Sequence, residues 1–391
     1  MKVIVNDTTL IDIADAIREK AGNDNVLYPS EMGNAIRELP EGGGGNEPTD
    51  DELSFTEDCS YLFAGGQLDW IIEKYGNRVT TNDITVPQFM FQRSKLTEIP
   101  FQINIKSAAA LNYLFNNMAN LVVCPKVRGS ILWNTSTSLA SMLDGCSNLR
   151  SLEDLFTPEM LDGFSSVKVI SQYSTPKPPN FANCHSLRAV PSWWYKITTN
   201  EESTVYPAYT YAPYYNAFRA CYALDELLNI PVLRCNGEQT SNMFYDTFVA
   251  CNRLKRITFE TNADGTPIEV QWKNQVIDLS QRVGWSSYYY FYNSGITSDK
   301  EVKDDATYQA LKNDPDWYTQ KYQYSRYDKV SALETIRSLP DTKAYLDRVG
   351  GTNTIKFTMD AGLGTDGGAI RDLTDDEIKI ATDKGWTIAW A

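Results

Sequence analysis

Few residues in this 391-residue chain have types and spacings suited to covalent chemistry. Its one histidine is His185. Zinc sites built on two or three histidines and HExxH proteases are therefore excluded, and any Ser–His–Asp or Cys–His set would have to use this residue. Its neighbours Asn183-Cys184-His185-Ser186-Leu187 match no nucleophile motif. The seven cysteines (59, 124, 146, 184, 221, 235 and 251) contain no CxxC pair, which removes zinc ribbons and thioredoxin-like motifs. Their odd number also fits poorly with a closed disulfide framework. The stretch from Asp360 to Gly368 is rich in Gly and Asp but lacks both EF-hand spacing and the P-loop Gly-Lys-Ser/Thr, so it reads as a turn. With 50 acidic residues a glycosidase carboxylate pair is conceivable, yet no spacing singles one out. The expectation is a protein with no catalytic residue, no metal site and no cofactor.

Recognition chemistry is better represented. Tyr, Phe and Trp make up 12% of the chain. One cluster comprises Trp193, Trp194, Tyr195, Tyr206, Tyr209, Tyr211, Tyr214 and Tyr215, interleaved with Pro, Thr and Ala. Others follow at Trp285 to Tyr292 and at Trp317 to Tyr327. Aromatic faces stack on sugar rings while hydroxyls hydrogen-bond, and protein interfaces use the same residues. Trp193, Trp194, Tyr195, Tyr209, Tyr211, Tyr214 and Tyr215 are accordingly the candidate ligand-binding set. The competing reading has these rings filling gaps between uneven repeats or packing on a sister subunit. A formal charge of −14 argues against a nucleic-acid partner, since phosphate affinity comes from clustered cations. No apolar run reaches the ~20 residues of a membrane helix. The N-terminal residues lack the apolar core of a signal peptide, so the chain is expected to be made in the cytosol without Sec export.

The elements that must position these residues emerge from internal periodicity. Met90-x-x-Arg93-x-x-Leu96-x-x-Ile99-Pro100 returns as Phe115-x-x-Met118-x-x-Leu121-x-x-Cys124-Pro125, then with Leu143, Cys146, Leu149 and Leu152. It returns again with Phe181, Cys184, Leu187 and Val190, with Phe218, Cys221, Leu224 and Leu227, and with Phe248, Cys251, Leu254 and Ile257. The central leucines lie 25, 28, 38, 37 and 30 residues apart. In each unit the first apolar pair fits a helical turn and the last leads into a short strand. One unit buries too little to stand alone, whereas a stack buries a continuous core. Cys146, Leu149, Cys184, Leu187, Cys221, Leu224, Cys251 and Leu254 are the predicted repeat core. Cysteine in that register acts as a small hydrophobe, which makes His185 merely the variable residue beside it.

At the N-terminus two short helices are predicted, about Thr9–Lys20 and Ser30–Leu39, closed by Gly22 and Pro40. Leu10, Ile13, Ile17, Met32, Ile36 and Leu39 form an apolar face too small to be stable alone, so it is expected to dock on another surface. The stretch 41–52 contains four consecutive glycines and reads as a flexible linker. After Thr297 the texture changes. Helical periodicity spans Ser331–Val349 with a break at Pro340, and a strand is predicted at Thr354–Thr358. A helix capped by Thr374 and Glu377 precedes a final strand at Trp386–Trp390.

Two resemblances follow from these residues. Asp12 to Lys20, with Tyr28-Pro29-Ser30-Glu31-Met32 and Ala35-Ile36, resembles a segment found on tail and minor virion proteins of phages of Gram-positive bacteria. The F-x-x-C-x-x-L-x-x-[IVL]-P pattern over roughly Asp83 to Phe259 resembles BspA-like leucine-rich repeats of bacterial, protozoan and phage surface proteins. Together they imply an α+β chain: a helical hairpin anchoring to other virion proteins (1–40), a Gly-rich linker (41–52), a leucine-rich-repeat α/β solenoid (53–300) and a C-terminal α/β cap (301–391). The implied function is a phage virion structural protein, tail- or baseplate-associated, that contacts a host-surface glycan or protein. The alternatives are a capsid head fibre or decoration protein, a bacterial surface adhesin and, lastly, a polysaccharide-degrading tail enzyme. A homo-oligomer such as a trimer would suit the socket symmetry of a virion, although no heptad run enforces one.

Overall fold

The computed structural model describes residues 3–5, 53–167, 176–197, 214–234, 237–251, 254, 256–280, 329–357 and 373–390. In chain order these residues form β1 (Val3–Val5), β2 (Leu53–Asp58), α1 (Asp69–Tyr75), β3 (Val79–Val86), β4 (Gln102–Ala108), β5 (Lys126–Ile131) and α2 (Pro158–Leu161). They continue with β6 (Glu226–Ile230), β7 (Arg256–Phe259), β8 (Val276–Asp278), α3 (Lys329–Ser338), α4 (Lys343–Val349), β9 (Asn353–Phe357), α5 (Asp375–Thr382) and β10 (Trp386–Trp390). All the strand pairs are parallel, in a five-stranded sheet β1-β2-β3-β4-β5, a pair β6-β7 and a three-stranded sheet β8-β9-β10.

This corrects the expected α+β fold of a helical hairpin followed by a leucine-rich-repeat solenoid and an α/β cap. The described residues are mixed α/β with parallel sheets, and they show neither a helical hairpin nor one unbroken solenoid. The hairpin residues Leu10, Ile13, Ile17, Met32, Ile36 and Leu39, and the linker 41–52, lie outside the described residues. Between β5 and β6 the parallel pairing shrinks to isolated bridges such as Ser138 with Lys177. Units there are longer, and a strand cannot keep register with neighbours separated by insertions of unequal length.

A second correction concerns the apolar i, i+3 pairs, which occupy turns rather than helices. Phe63, Phe91, Phe115, Leu143, Phe181, Phe218 and Phe248 each lie at the centre of one turn. The residue two before each of them except Phe181 (Tyr61, Phe89, Tyr113, Ser141, Asn216, Asp246) and the residue two after all seven (Gly65, Arg93, Asn117, Gly145, Asn183, Ala220, Ala250) have φ between 51° and 82°. Hydrogen bonding explains why non-glycine side chains accept this left-handed region. Successive N–H groups alternate between a local carbonyl three residues back and a carbonyl of the next turn. Gln92 N donates to Phe89 O (3.0 Å) and Ser94 N to Phe91 O (3.0 Å), whereas Phe91 N donates to Leu114 O (2.9 Å) and Arg93 N to Asn116 O (2.8 Å). Every second peptide is thus turned outward to its neighbour, and the flip supplies the positive φ. The same bonds put Phe91, not Met90, in register with Phe115. The first copy is one residue shorter than its sequence alignment implies.

Packing follows from this stacking. Phe63, Phe91 and Phe115 lie nearly parallel with centroids 5.1 and 5.9 Å apart, and all three are fully buried. Leu149, Leu187, Leu224 and Leu254 are equally buried. The thiol of each ladder cysteine donates to the carbonyl of the central residue of the preceding turn: Cys146 to Phe115 (3.1 Å), Cys184 to Leu143 (3.4 Å), Cys221 to Phe181 (3.1 Å) and Cys251 to Phe218 (2.9 Å). Burial raises the thiols of Cys146, Cys184 and Cys221 far above the usual range. A thiolate is the reactive form, so these positions are inert in the fold. Iodoacetamide at pH 8 should leave Cys146, Cys184, Cys221 and Cys251 unmodified in the native chain and label all four in urea, as read by peptide mass spectrometry. Rapid native labelling of Cys184 would contradict the ladder.

Near the C-terminus, α3 lies against β7, with Arg256 bridging Glu226 and Glu334 and Ser338 Oγ accepting from Phe259 N (3.0 Å). The capping box read from Thr374 and Glu377 is formed, and Thr342 rather than a longer helix follows the break at Pro340. β8, from the repeat side of the chain, pairs with β9, so the last sheet draws strands from both sides of the segment 281–328.

Candidate functional site

Three residues of the predicted aromatic set are structural. Trp193 and Trp194 sit in a 3₁₀ turn, Ser192–Lys196, and are fully buried. Trp193 Nε1 donates to Leu152 O (2.8 Å), and its ring meets Phe156 edge-on at 5.1 Å. Trp194 packs edge-on against Phe218 at 5.3 Å. Tyr214 stacks on Phe244 at 4.8 Å and donates its hydroxyl to Pro231 O. Their candidacy as ligand contacts is corrected: large rings fill the gaps that uneven repeats leave, and a buried ring cannot meet a partner. Tyr195 is half-buried and remains accessible. So does Tyr215, which stacks on the exposed Tyr245 at 5.8 Å. Tyr209 and Tyr211 lie outside the described residues.

A different aromatic surface comes from the turn geometry. Tyr61, Phe89 and Tyr113 occupy the same left-handed position in three successive turns. Their rings stack nearly parallel, Tyr61 on Phe89 at 4.5 Å and 5°, Phe89 on Tyr113 at 4.8 Å and 6°. Tyr61 is 55% exposed, and the other two are partly exposed. The left-handed backbone swings these side chains out of the core, and the spacing of neighbouring parallel chains brings the rings together. Beside the column, Gln92 Nε2 donates to Asn116 Oδ1 (3.1 Å) and Asn117 Nδ2 to the same oxygen (2.8 Å). Farther along, Asn183 Nδ2 donates to Asp144 Oδ1 (2.8 Å), and Arg219 pairs with Asp246 (3.1 Å). Burial raises the Asp144 carboxyl, partly offset by the Asn183 bond and the Arg219 charge.

The result is a rigid strip of apolar rings with two phenolic hydroxyls and fixed amides alongside. It can bind by stacking and hydrogen bonding, because its geometry is held by backbone bonds and little side-chain entropy is lost on contact. A signal for it existed in the sequence, namely an aromatic two residues before each of Phe63, Phe91 and Phe115. Insertions drew attention elsewhere.

His185 stacks on Tyr222 at 4.6 Å, its Nδ1 is buried with no hydrogen-bond partner among the described residues, and burial lowers its pKa to about 4. Among the described residues no group of three or more His, Cys, Asp or Glu side chains is placed to hold a metal ion. No helix among them is long and apolar enough to cross a membrane. Comparison with protein-family models, curated proteins and solved structures finds no match to this chain.

Proposed function

We propose that the protein is a bacteriophage virion structural protein, associated with the tail or baseplate, that attaches to other virion proteins through residues 1–40 and touches a host-surface glycan or protein with its stacked turns. The observation that carries the contact half of this reading is the Tyr61–Phe89–Tyr113 column, exposed apolar area fixed on a rigid backbone. The attachment half rests on the resemblance of residues 12–36 to segments of virion proteins. Connectivity supports it further. β1 pairs with β2, so residues 6–52 leave from and return to one edge of the five-stranded sheet, opposite β5.

The test is binding of the labelled full-length chain to a panel of Gram-positive cells. Saturable binding to at least one strain is expected, weakened about tenfold or more when Tyr61, Phe89 and Tyr113 are all changed to Ala, because a single hot-spot aromatic contributes ~2 kcal/mol and ~1.4 kcal/mol is already tenfold. Tyr245→Ala, on a separate stack, should leave binding unchanged. Binding that survives the triple substitution in a folded protein would sink the role of the column.

A further inference from the structure

The Tyr195 side chain lines an open pocket of about 470 Å³ together with Leu228, Asn229, Pro231 and Glu260. That volume lies within the range of small-ligand sites, ~300–1,000 Å³. Its apolar parts are the Tyr195 ring, the half-buried Leu228 and the buried Pro231. Three features preorganise it. Trp194 meets Tyr195 edge-on at 5.5 Å and 82°, fixing the ring plane. Asn229 has φ 57°, and its N–H is tied to Thr258 Oγ1 (2.9 Å), which sets the exposed amide at the pocket. Glu260 receives Arg234 Nη2 on Oε1 (2.8 Å) and Val232 N on Oε2 (3.1 Å). Each carboxylate oxygen therefore keeps acceptor capacity for a further donor.

One aromatic face, one amide and one oriented carboxylate match a ligand with an apolar face and several hydroxyls. The charge balance narrows the class. Arg234 is already paired with Glu260, and Glu153, held by Ser192 N (2.9 Å), lies near enough to Tyr195 to act on its hydroxyl. An anionic ligand would meet the Glu260 carboxylate, with Arg234 already committed to it and no cation among the lining residues. We infer that the pocket at Tyr195 is a subsite for one residue of a neutral saccharide, stacked on the Tyr195 ring with its hydroxyls donating to Glu260 and bonding to Asn229. This deepens the host-contact reading above and rests on it for its setting, but uses a different surface from the Tyr61 column.

The experiment is ligand-observed NMR on the full chain with neutral tetrasaccharides of glucose, galactose, N-acetylglucosamine and rhamnose, set against poly(glycerol phosphate). Binding of at least one neutral tetrasaccharide is expected. Tyr195→Ala should weaken it by about tenfold and Tyr195→Phe, which keeps the ring, by only about threefold, the size of one modest hydrogen bond. Asn229→Ala, at an exposed site, serves as a second variant that does not threaten folding. Binding that ignores both Tyr195→Ala and Asn229→Ala, or a preference for the phosphate polymer, would overturn the inference. Cells bound through the column with no tetrasaccharide bound would overturn the pocket and leave the host-contact reading standing. Tetrasaccharide binding lost in Tyr195→Ala, with no cell bound, would uphold the pocket and sink that reading instead.

Discussion

Replacing Gly129 with alanine should lower the melting temperature by roughly 3–6 °C, at ~1.2 °C per kcal/mol for a chain of 391 residues. Gly129 lies opposite Ile105 in the β4–β5 pairing, with φ +109°. A Cβ there would stand 1.9 Å from the Ile105 carbonyl oxygen and 3.0 Å from its carbon. Both obstacles are backbone, so no rotamer change relieves them. The φ strain alone costs ~1–3 kcal/mol, and separating the strands removes hydrogen bonds worth ~1 kcal/mol each. Gly65→Ala is the matched control, with φ +74° and no heavy atom within 4 Å of the added methyl. It should cost ~1–2 kcal/mol from backbone handedness alone. Thermal and urea unfolding of the two variants side by side decide the matter. Equal losses would mean that the close approach of β4 and β5 is not what demands glycine at position 129.

Acid should destabilise the fold through His185 by up to ~3 kcal/mol between pH 6.5 and 4. The folded pKa is lowered from 6.5 to about 4 by burial. In that window the unfolded chain binds the proton and the folded chain resists it, so stability is full above pH 6.5 and falls as the pH drops towards 4. Below pH 4 this group causes no further loss. The buried Asp69 and half-buried Asp144 carboxyls, both raised mainly by desolvation, act in the opposite sense. Folding with these carboxyls takes up protons, so their contribution declines as the pH rises through their raised values. The His185 effect must therefore be read as a difference from a variant. His185→Phe keeps a ring to stack on Tyr222 and has nothing to protonate. As this chain has one histidine, the gap between the two stability–pH curves belongs to one site. A gap that stays constant from pH 7 to 4 would show that His185 titrates normally in the fold.

The sequence alone determined which repeated positions go inside. Phe115, Cys184, Leu187, Cys221 and Leu254 were legible as core because burial leaves a periodic trace in residue type, and all five are fully buried. Local capping was legible too, since Thr374 and Glu377 lie within one helical turn of each other. The tertiary structure decided what depends on neighbours distant in the chain. The left-handed backbone at Tyr61, Phe89 and Tyr113 arises because alternate N–H groups bond to the next turn, and no local pattern of these side chains announces it. The one-residue shift that puts Phe91 rather than Met90 over Phe115 comes from the same bonds. Trp193, Trp194 and Tyr214 sat in aromatic-rich segments that looked like recognition loops, yet became core because unequal insertions left space that only large rings fill. Composition records how much aromatic surface a chain possesses. Which part of it faces a partner is set by the register of the stacked turns, and that register exists only once the turns have bonded to one another.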